Sequence, residues 1–127
     1  MVGLGVSSFG HLGGIHYQNI TNIDHYCDSV EVKKAPVRRA LMTQEEERFI
    51  RELILQWKLG RVDKKYFQKK FGISVTERFS LIITKWKENG DLIEEGDYLV
   101  LIRDALLRVD SLLHQFFLPH HQDARYV

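Results

Sequence analysis

The side chains that could do chemistry in this sequence are few and scattered. Histidine is the most frequent candidate, with His11, His16 and His25 in the first part of the chain, then His114 and the adjacent His120 and His121. A helical zinc site needs two histidines at i, i+4 with a glutamate nearby, and no pair here has that spacing. Cys27 is the only cysteine, so an intrachain disulfide is excluded and a cysteine-based metal site lacks thiolates. Gly3-Leu4-Gly5 begins like a dinucleotide-binding loop. Ser8, however, stands where the third glycine of GxGxxG would fall, and no helix follows at once. What remains is a short segment of glycine, serine and one aromatic. Gly3 and Gly5 admit close backbone approach, Ser7 and Ser8 add small polar groups, and Phe9 adds a ring for stacking. Ligands of α/β sheets and barrels sit at the C-terminal ends of strands. Gly3, Gly5, Ser7, Ser8 and Phe9 are therefore the candidate binding residues; glycine that merely relieves crowding is the competing reading.

The elements that must position this segment divide into a weak first part and a strongly patterned second part. Val2, Leu4 and Val6 alternate with glycine and serine, which predicts a strand over Val2–Val6 followed by a Gly-rich loop to His16-Tyr17-Gln18-Asn19. No other strand is expected within the next seventy residues. A lone strand leaves its backbone groups and its apolar face uncovered, so this one reads as part of a sheet whose other strands lie elsewhere. Asn22 to about Val30 predicts a short helix with Ile23, Tyr26 and Cys27 on one side, and Glu31 to Arg39 reads as a linker punctuated by Pro36. Thr43-Gln44-Glu45-Glu46 is a capping-box pattern opening a helix to Leu59, with Phe49, Ile50, Leu53, Ile54 and Trp57 on one stripe and Gly60 as its stop. Asp63 caps a second helix, stapled by Val62 and Phe67 and stopped by Gly72. Ser74–Glu77 opens a third, burying Phe79, Ile82, Ile83 and Trp86 and closing at Asn89-Gly90. A hairpin over Leu92-Ile93 and Tyr98–Ile102 follows, then a final helix from Ala105 to Phe117 stopped by Pro119. Three helices, a hairpin and a closing helix are the order of a winged-helix-like domain.

Composition narrows the function classes. The 127 residues carry a net charge of +1, with 44% hydrophobic and 28% charged side chains. That hydrophobic content argues for a packed core and against disorder, and near-neutrality argues against a nucleic-acid or membrane surface. A DNA-reading third helix would offer Arg78, Lys85 and Lys87, but Glu77 and Glu88 dilute them. Glu94, Glu95 and Asp97 on the wing would repel phosphate. Lys64, Lys65, Lys69 and Lys70 form a solvated basic face. No apolar run approaches the ~20 residues that span a bilayer, and the first residues lack a secretory pattern, so a soluble, cytoplasmic protein is expected.

The whole pattern resembles a known family. Gly3-Leu-Gly5-Val-Ser7-Ser8-Phe9 followed by Tyr17-Gln18-Asn19 looks like the last barrel strand of the oxygen-independent coproporphyrinogen III oxidase (HemN-like) radical SAM enzymes. Leu59-Gly60-Arg-Val-Asp63, Phe67, Phe71-Gly72, Phe79 and Gly90-Asp91-Leu92 are similar to that family's C-terminal domain. The resemblance implies an α+β, mostly helical chain. Residues 1–20 would be the last strand and Gly-rich loop of a truncated (β/α)6 barrel, 21–42 a short helix and linker, and 43–127 the winged-helix-like domain. It implies S-adenosylmethionine (SAM) and a [4Fe–4S] cluster in full-length members, which decarboxylate coproporphyrinogen III oxidatively, and a tetrapyrrole as partner. It carries SAM contact onto Ser7, Ser8 and Phe9, with Gly3 and Gly5 as supporting backbone. The cluster motif CxxxCxC is absent, so the chain alone is expected to hold no cofactor and to be inactive. Related branches act as haem chaperones or in haem utilisation, and a stand-alone winged-helix interaction module is the reading from another class. Pairing of two copies through the orphan N-terminal strand is a further expectation.

Overall fold

Two adjacent glycines organise the first part of the chain. In the computed structural model, which describes residues 1–118, Gly13 and Gly14 take φ of 56° and 80°. Left-handed backbone at both central positions is what a two-residue hairpin turn of the I′ type requires. The turn joins β1 (Phe9–Leu12) to β2 (Ile15–Asn19). After α1 (Ile23–Glu31), capped by the Asn22 side chain, the chain returns as β3 (Val37–Met42) and pairs antiparallel with β2, giving the order β1-β2-β3. Between Gln18 and Asn19 the register shifts, so Gln18 faces Arg39 and Asn19 faces Val37, with Arg38 as the extra residue of a bulge.

This sheet corrects the expectation of a lone strand over Val2–Val6. That stretch holds no strand, because Gly5 (φ 96°) and Ser7 (φ 61°) are left-handed and break any pleat. The segment instead runs beside β1, where Met1 exchanges hydrogen bonds with His11 in both directions. The linker expected over Glu31–Arg39 likewise gives way to β3 from Val37 onward.

The chain forms two compact units, Met1–Arg48 and Phe49–Val127. α2 (Glu45–Lys58) starts with a different cap from the one its sequence suggests. The Glu47 carboxylate accepts from the Gln44 amide at 2.8 Å, while the Thr43 amide and hydroxyl both donate to the Gly14 carbonyl. Thr43 therefore ties the end of β3 to the hairpin turn. The short strand β4 (Arg61–Asp63) pairs with β6, giving a second sheet in the order β4-β6-β5 with β5 (Leu92–Glu95) and β6 (Tyr98–Leu101). Asp63 caps α3 (Lys64–Phe71) through the Tyr66 amide, and Gly72 closes it with φ 67°. The expected third helix is two pieces, α4 (Val75–Arg78) and α5 (Ser80–Glu88), broken at Phe79. The closing helix is also broken, at Arg108, into α6 (Arg103–Leu107), α7 (Val109–Leu113) and a 3-10 turn over His114–Phe116. The Pro119 stop and the His120, His121, Arg125 and Tyr126 tail lie outside the described residues.

The buried apolar side chains belong to the second unit. Phe49, Leu53 and Trp57 of α2, Val62, Phe67, Trp86, Leu99 and Phe116 are almost completely enclosed. The rings pack edge to face, with centroids 5.4 Å apart for Trp57–Trp86 and 5.2 Å for Trp86–Phe116. Asp91 is buried and is paired with Arg108. The carboxylate of Glu94 bridges Lys64 of α3 and Lys87 of α5.

Candidate functional site

Asn19 is the centre of the arrangement that holds the Gly-Ser segment in place. It lies at the end of β2, only 3% exposed. Its Nδ2 donates to the carbonyls of Gly3 and Gly5 at 3.2 and 2.9 Å. The Tyr17 hydroxyl accepts from the Gly3 amide at 3.2 Å, and the Tyr26 hydroxyl of α1 accepts from the Gly5 amide at 3.1 Å. One strand and one helix thus fix both glycines from two sides. A side chain at position 3 could not be admitted, since its Cβ would lie 2.3 Å from the Phe9 carbonyl oxygen. Gly10 is glycine for a related reason. Tyr17, its cross-strand partner, lays its ring where a Cβ at position 10 would stand.

The five predicted residues are brought together, but in unequal roles. Gly3 and Gly5 are internal supports. The Ser8 hydroxyl is turned inward, donating to the carbonyls of Leu4 and Gly5, and the Ser8 carbonyl accepts from the Asn19 amide at 2.9 Å. Ser7 is exposed in a left-handed conformation that non-glycine residues adopt at a cost of about 1–3 kcal/mol. Its amide donates to the Ile20 carbonyl at 3.0 Å, and its carbonyl accepts from Gln18 Nε2 at 3.5 Å. Phe9 is 47% exposed and stacks on His16, centroids 5.7 Å apart and planes 12° apart. Ser7 and Phe9 are therefore the members left open to a ligand. Sequence reasoning missed Asn19, Tyr17 and Tyr26 as the supports. Tyr17 and Asn19 belong to the Tyr17-Gln18-Asn19 motif and Tyr26 to one side of the expected helix, but neither pattern shows that they reach Gly3 and Gly5.

Among the described residues no three or more of His, Cys, Asp or Glu gather closely enough to hold an ion. A [4Fe–4S] cluster of the CxxxCxC kind needs three thiolates, and Cys27 is the sole cysteine and is exposed. This chain's residues do not fit that cluster. Among the described residues, no helix is long and apolar enough to cross a membrane.

No family model matches the chain. It is 26% identical over 87 residues to the oxygen-independent coproporphyrinogen III oxidase of Helicobacter pylori (strain ATCC 700392 / 26695), an alignment covering 68% of this chain and 19% of that protein. Its fold matches coproporphyrinogen III oxidase (HemN) from Escherichia coli, a radical SAM enzyme, with a TM-score of 0.67 at 14% identity, over 89% of this chain and 27% of that one. In sequence the chain is similar to the first of these proteins, and in fold to the second. Its α+β architecture agrees with the expected class, and it spans about a fifth to a quarter of the length of these two HemN-type proteins.

Proposed function

We propose that this chain is the C-terminal portion of a HemN-like radical SAM protein of porphyrin or haem metabolism, contributing one wall of the cofactor and tetrapyrrole site and inactive alone. The observation that carries this reading is the fold match, which takes in nearly all of this chain while leaving most of the HemN chain unmatched. In this reading the first unit is the end of a (β/α)6 barrel and the second is a winged-helix-like domain. The order of the latter, a helix, a short strand, three helices and a hairpin, supports that assignment. Ser7 and Phe9 would face SAM, with Gly3, Gly5 and Ser8 as the framework behind them. The iron–sulfur cluster, which supplies the reductive cleavage of SAM, would be held entirely by residues outside this chain. The setting would be the cytoplasm.

A chimera tests this reading. The segment of the Helicobacter pylori enzyme that aligns with this chain is replaced by this chain, and the cluster is reconstituted. Decarboxylation of coproporphyrinogen III is expected from the chimera, with neither cluster binding nor SAM cleavage from the isolated chain. A chimera that holds its cluster and cleaves SAM yet leaves coproporphyrinogen III untouched would overturn the substrate reading. A desalted isolated chain that keeps cluster absorbance would overturn the inactive-alone reading.

A further inference from the structure

One face of the N-terminal sheet carries a ring, an amide and a guanidinium in a single cross-strand row. Phe9 of β1 faces Gln18 of β2, and Gln18 faces Arg39 of β3. His16, two residues before Gln18, projects to the same side, which is how it comes to stack on Phe9. The ends of the row lie two strand spacings apart, about 9–10 Å. At one end the Phe9 ring is half open to solvent. At the other, Arg39 is exposed, and its Nε donates to Gln18 Oε1 at 2.8 Å. Gln18 in turn donates to the Ser7 carbonyl at 3.5 Å, so the guanidinium is tied to the loop that bears the candidate binding residues.

The charge at Arg39 is positioned but not neutralised. Its hydrogen bond is to a neutral amide, and among the described residues no carboxylate pairs with it. With Nε engaged, the two Nη nitrogens remain as a fork that matches a carboxylate bidentately. Lys33, Lys34 and Arg38 stand in the same seven-residue stretch, which contains no acid. The bulge inserts Arg38 beside Arg39 and directs it to Thr21 Oγ1 at 2.9 Å. An arginine present only for sheet cohesion gains little from an exposed amide contact. An arginine prepared for an anion is held in this way, oriented and left with its charge available.

We infer that this face binds an apolar ring system bearing carboxylate arms, with Phe9 and His16 as its platform and Arg39 as its carboxylate anchor. The inference deepens the reading above, on which the tetrapyrrole class rests, by naming where the acidic side chains of that substrate would be caught.

Coproporphyrin III, which carries four carboxylates, serves as the probe, with an uncharged alkyl porphyrin for comparison. Each is titrated into the full chain by porphyrin fluorescence, using the wild type, Arg39→Gln, Phe9→Ala and, as a control for general positive charge, Lys69→Gln. Far-ultraviolet circular dichroism checks that each variant keeps its fold. Arg39→Gln is expected to weaken coproporphyrin III about tenfold without changing the alkyl porphyrin, Phe9→Ala to weaken both, and Lys69→Gln to change neither. Absence of wild-type binding, equal binding by wild type and Arg39→Gln, or an equal loss in Lys69→Gln would each overturn the inference. The two readings fail separately. A chimera whose turnover and KM ignore Arg39→Gln removes the anchor and leaves the HemN-like assignment. Arg39-dependent porphyrin binding beside a chimera that cleaves SAM without decarboxylation keeps the anchor and removes coproporphyrinogen III as the substrate.

Discussion

Asn19 shows how one side chain can set the shape of a loop it is distant from in sequence. Two carbonyls, from Gly3 and Gly5, accept from a single buried amide. Removing it takes that donor from both, and while the Gly5 carbonyl keeps the Ser8 hydroxyl, the part-buried Gly3 carbonyl loses its partner, at a cost of about 1 kcal/mol. Asn19→Ala is therefore expected to release the segment before β1, read as faster amide exchange over residues 3–8 with β2 and β3 little changed. Gly3→Ala should do the same by a different route, because its Cβ meets backbone and not a movable side chain. Unaltered exchange at Gly5 and Ser8 in Asn19→Ala would show that the two tyrosines suffice. The chemistry at this scale was partly legible. Residue types named the segment, but which hydroxyls turn inward depends on Asn19, Tyr17 and Tyr26, which only the hairpin and α1 bring to it.

At the scale of elements, what could be read from the sequence was what local chemistry decides. The Asp63 and Ser74 caps, the Gly72 stop and the β5–β6 hairpin all follow from side chains within four residues of the feature. The errors came where a longer-range partner decides. Alternation over Val2–Val6 looked like a strand, yet a pleat needs a neighbour in register, and the left-handed Gly5 and Ser7 deny it one. Gly13-Gly14 is a hairpin turn inside what the sequence presents as a Gly-rich loop, and β4 is only three residues long, formed because β6 offers it an edge. The links between elements also carry charge. Hydrogen bonds from Lys64 and then Lys87 lower the Glu94 pKa to about 2. A depressed carboxylate stabilises the fold above its ordinary value near 4.5 and loses that contribution as pH falls through about 2. Because the Glu94 side chain is 38% exposed, the effect after screening is on the order of 1 kcal/mol or less. Urea midpoints at pH 5.5 and 2.5 should fall further for the wild type than for Glu94→Gln, and parallel declines would assign the acid sensitivity elsewhere.

For the whole molecule, the decisive asymmetry is where apolar side chains are enclosed. Among the described residues, all fifteen that form the core lie between Phe49 and Phe116. In the first unit only Gly10 and Asn19 are buried, while Leu12, Ile15, Leu41 and Met42 remain 63%, 39%, 58% and 78% exposed. Burial of apolar area supplies most of the free energy that offsets chain ordering, so stability should be unequal along the chain. The expectation of pairing through an N-terminal strand changes accordingly. That stretch is not a strand, Met1 occupies part of the β1 edge, and the edge left open is β3, exposed along all its six residues. Hydrogen exchange on the whole chain is expected to show the slowest amides in α2, α5 and β6, with β1–β3 exchanging at lower free energies of opening. In the chimera with the remainder of the Helicobacter pylori enzyme, protection should rise in β1–β3 and hardly change in α2 if only the first unit gains a cover for its apolar face. Equal protection of both units in the isolated chain would mean that the sheet is stabilised without such a cover. A partner over Leu12, Ile15 and Met42, which the register places on one face of the sheet, would then not be required.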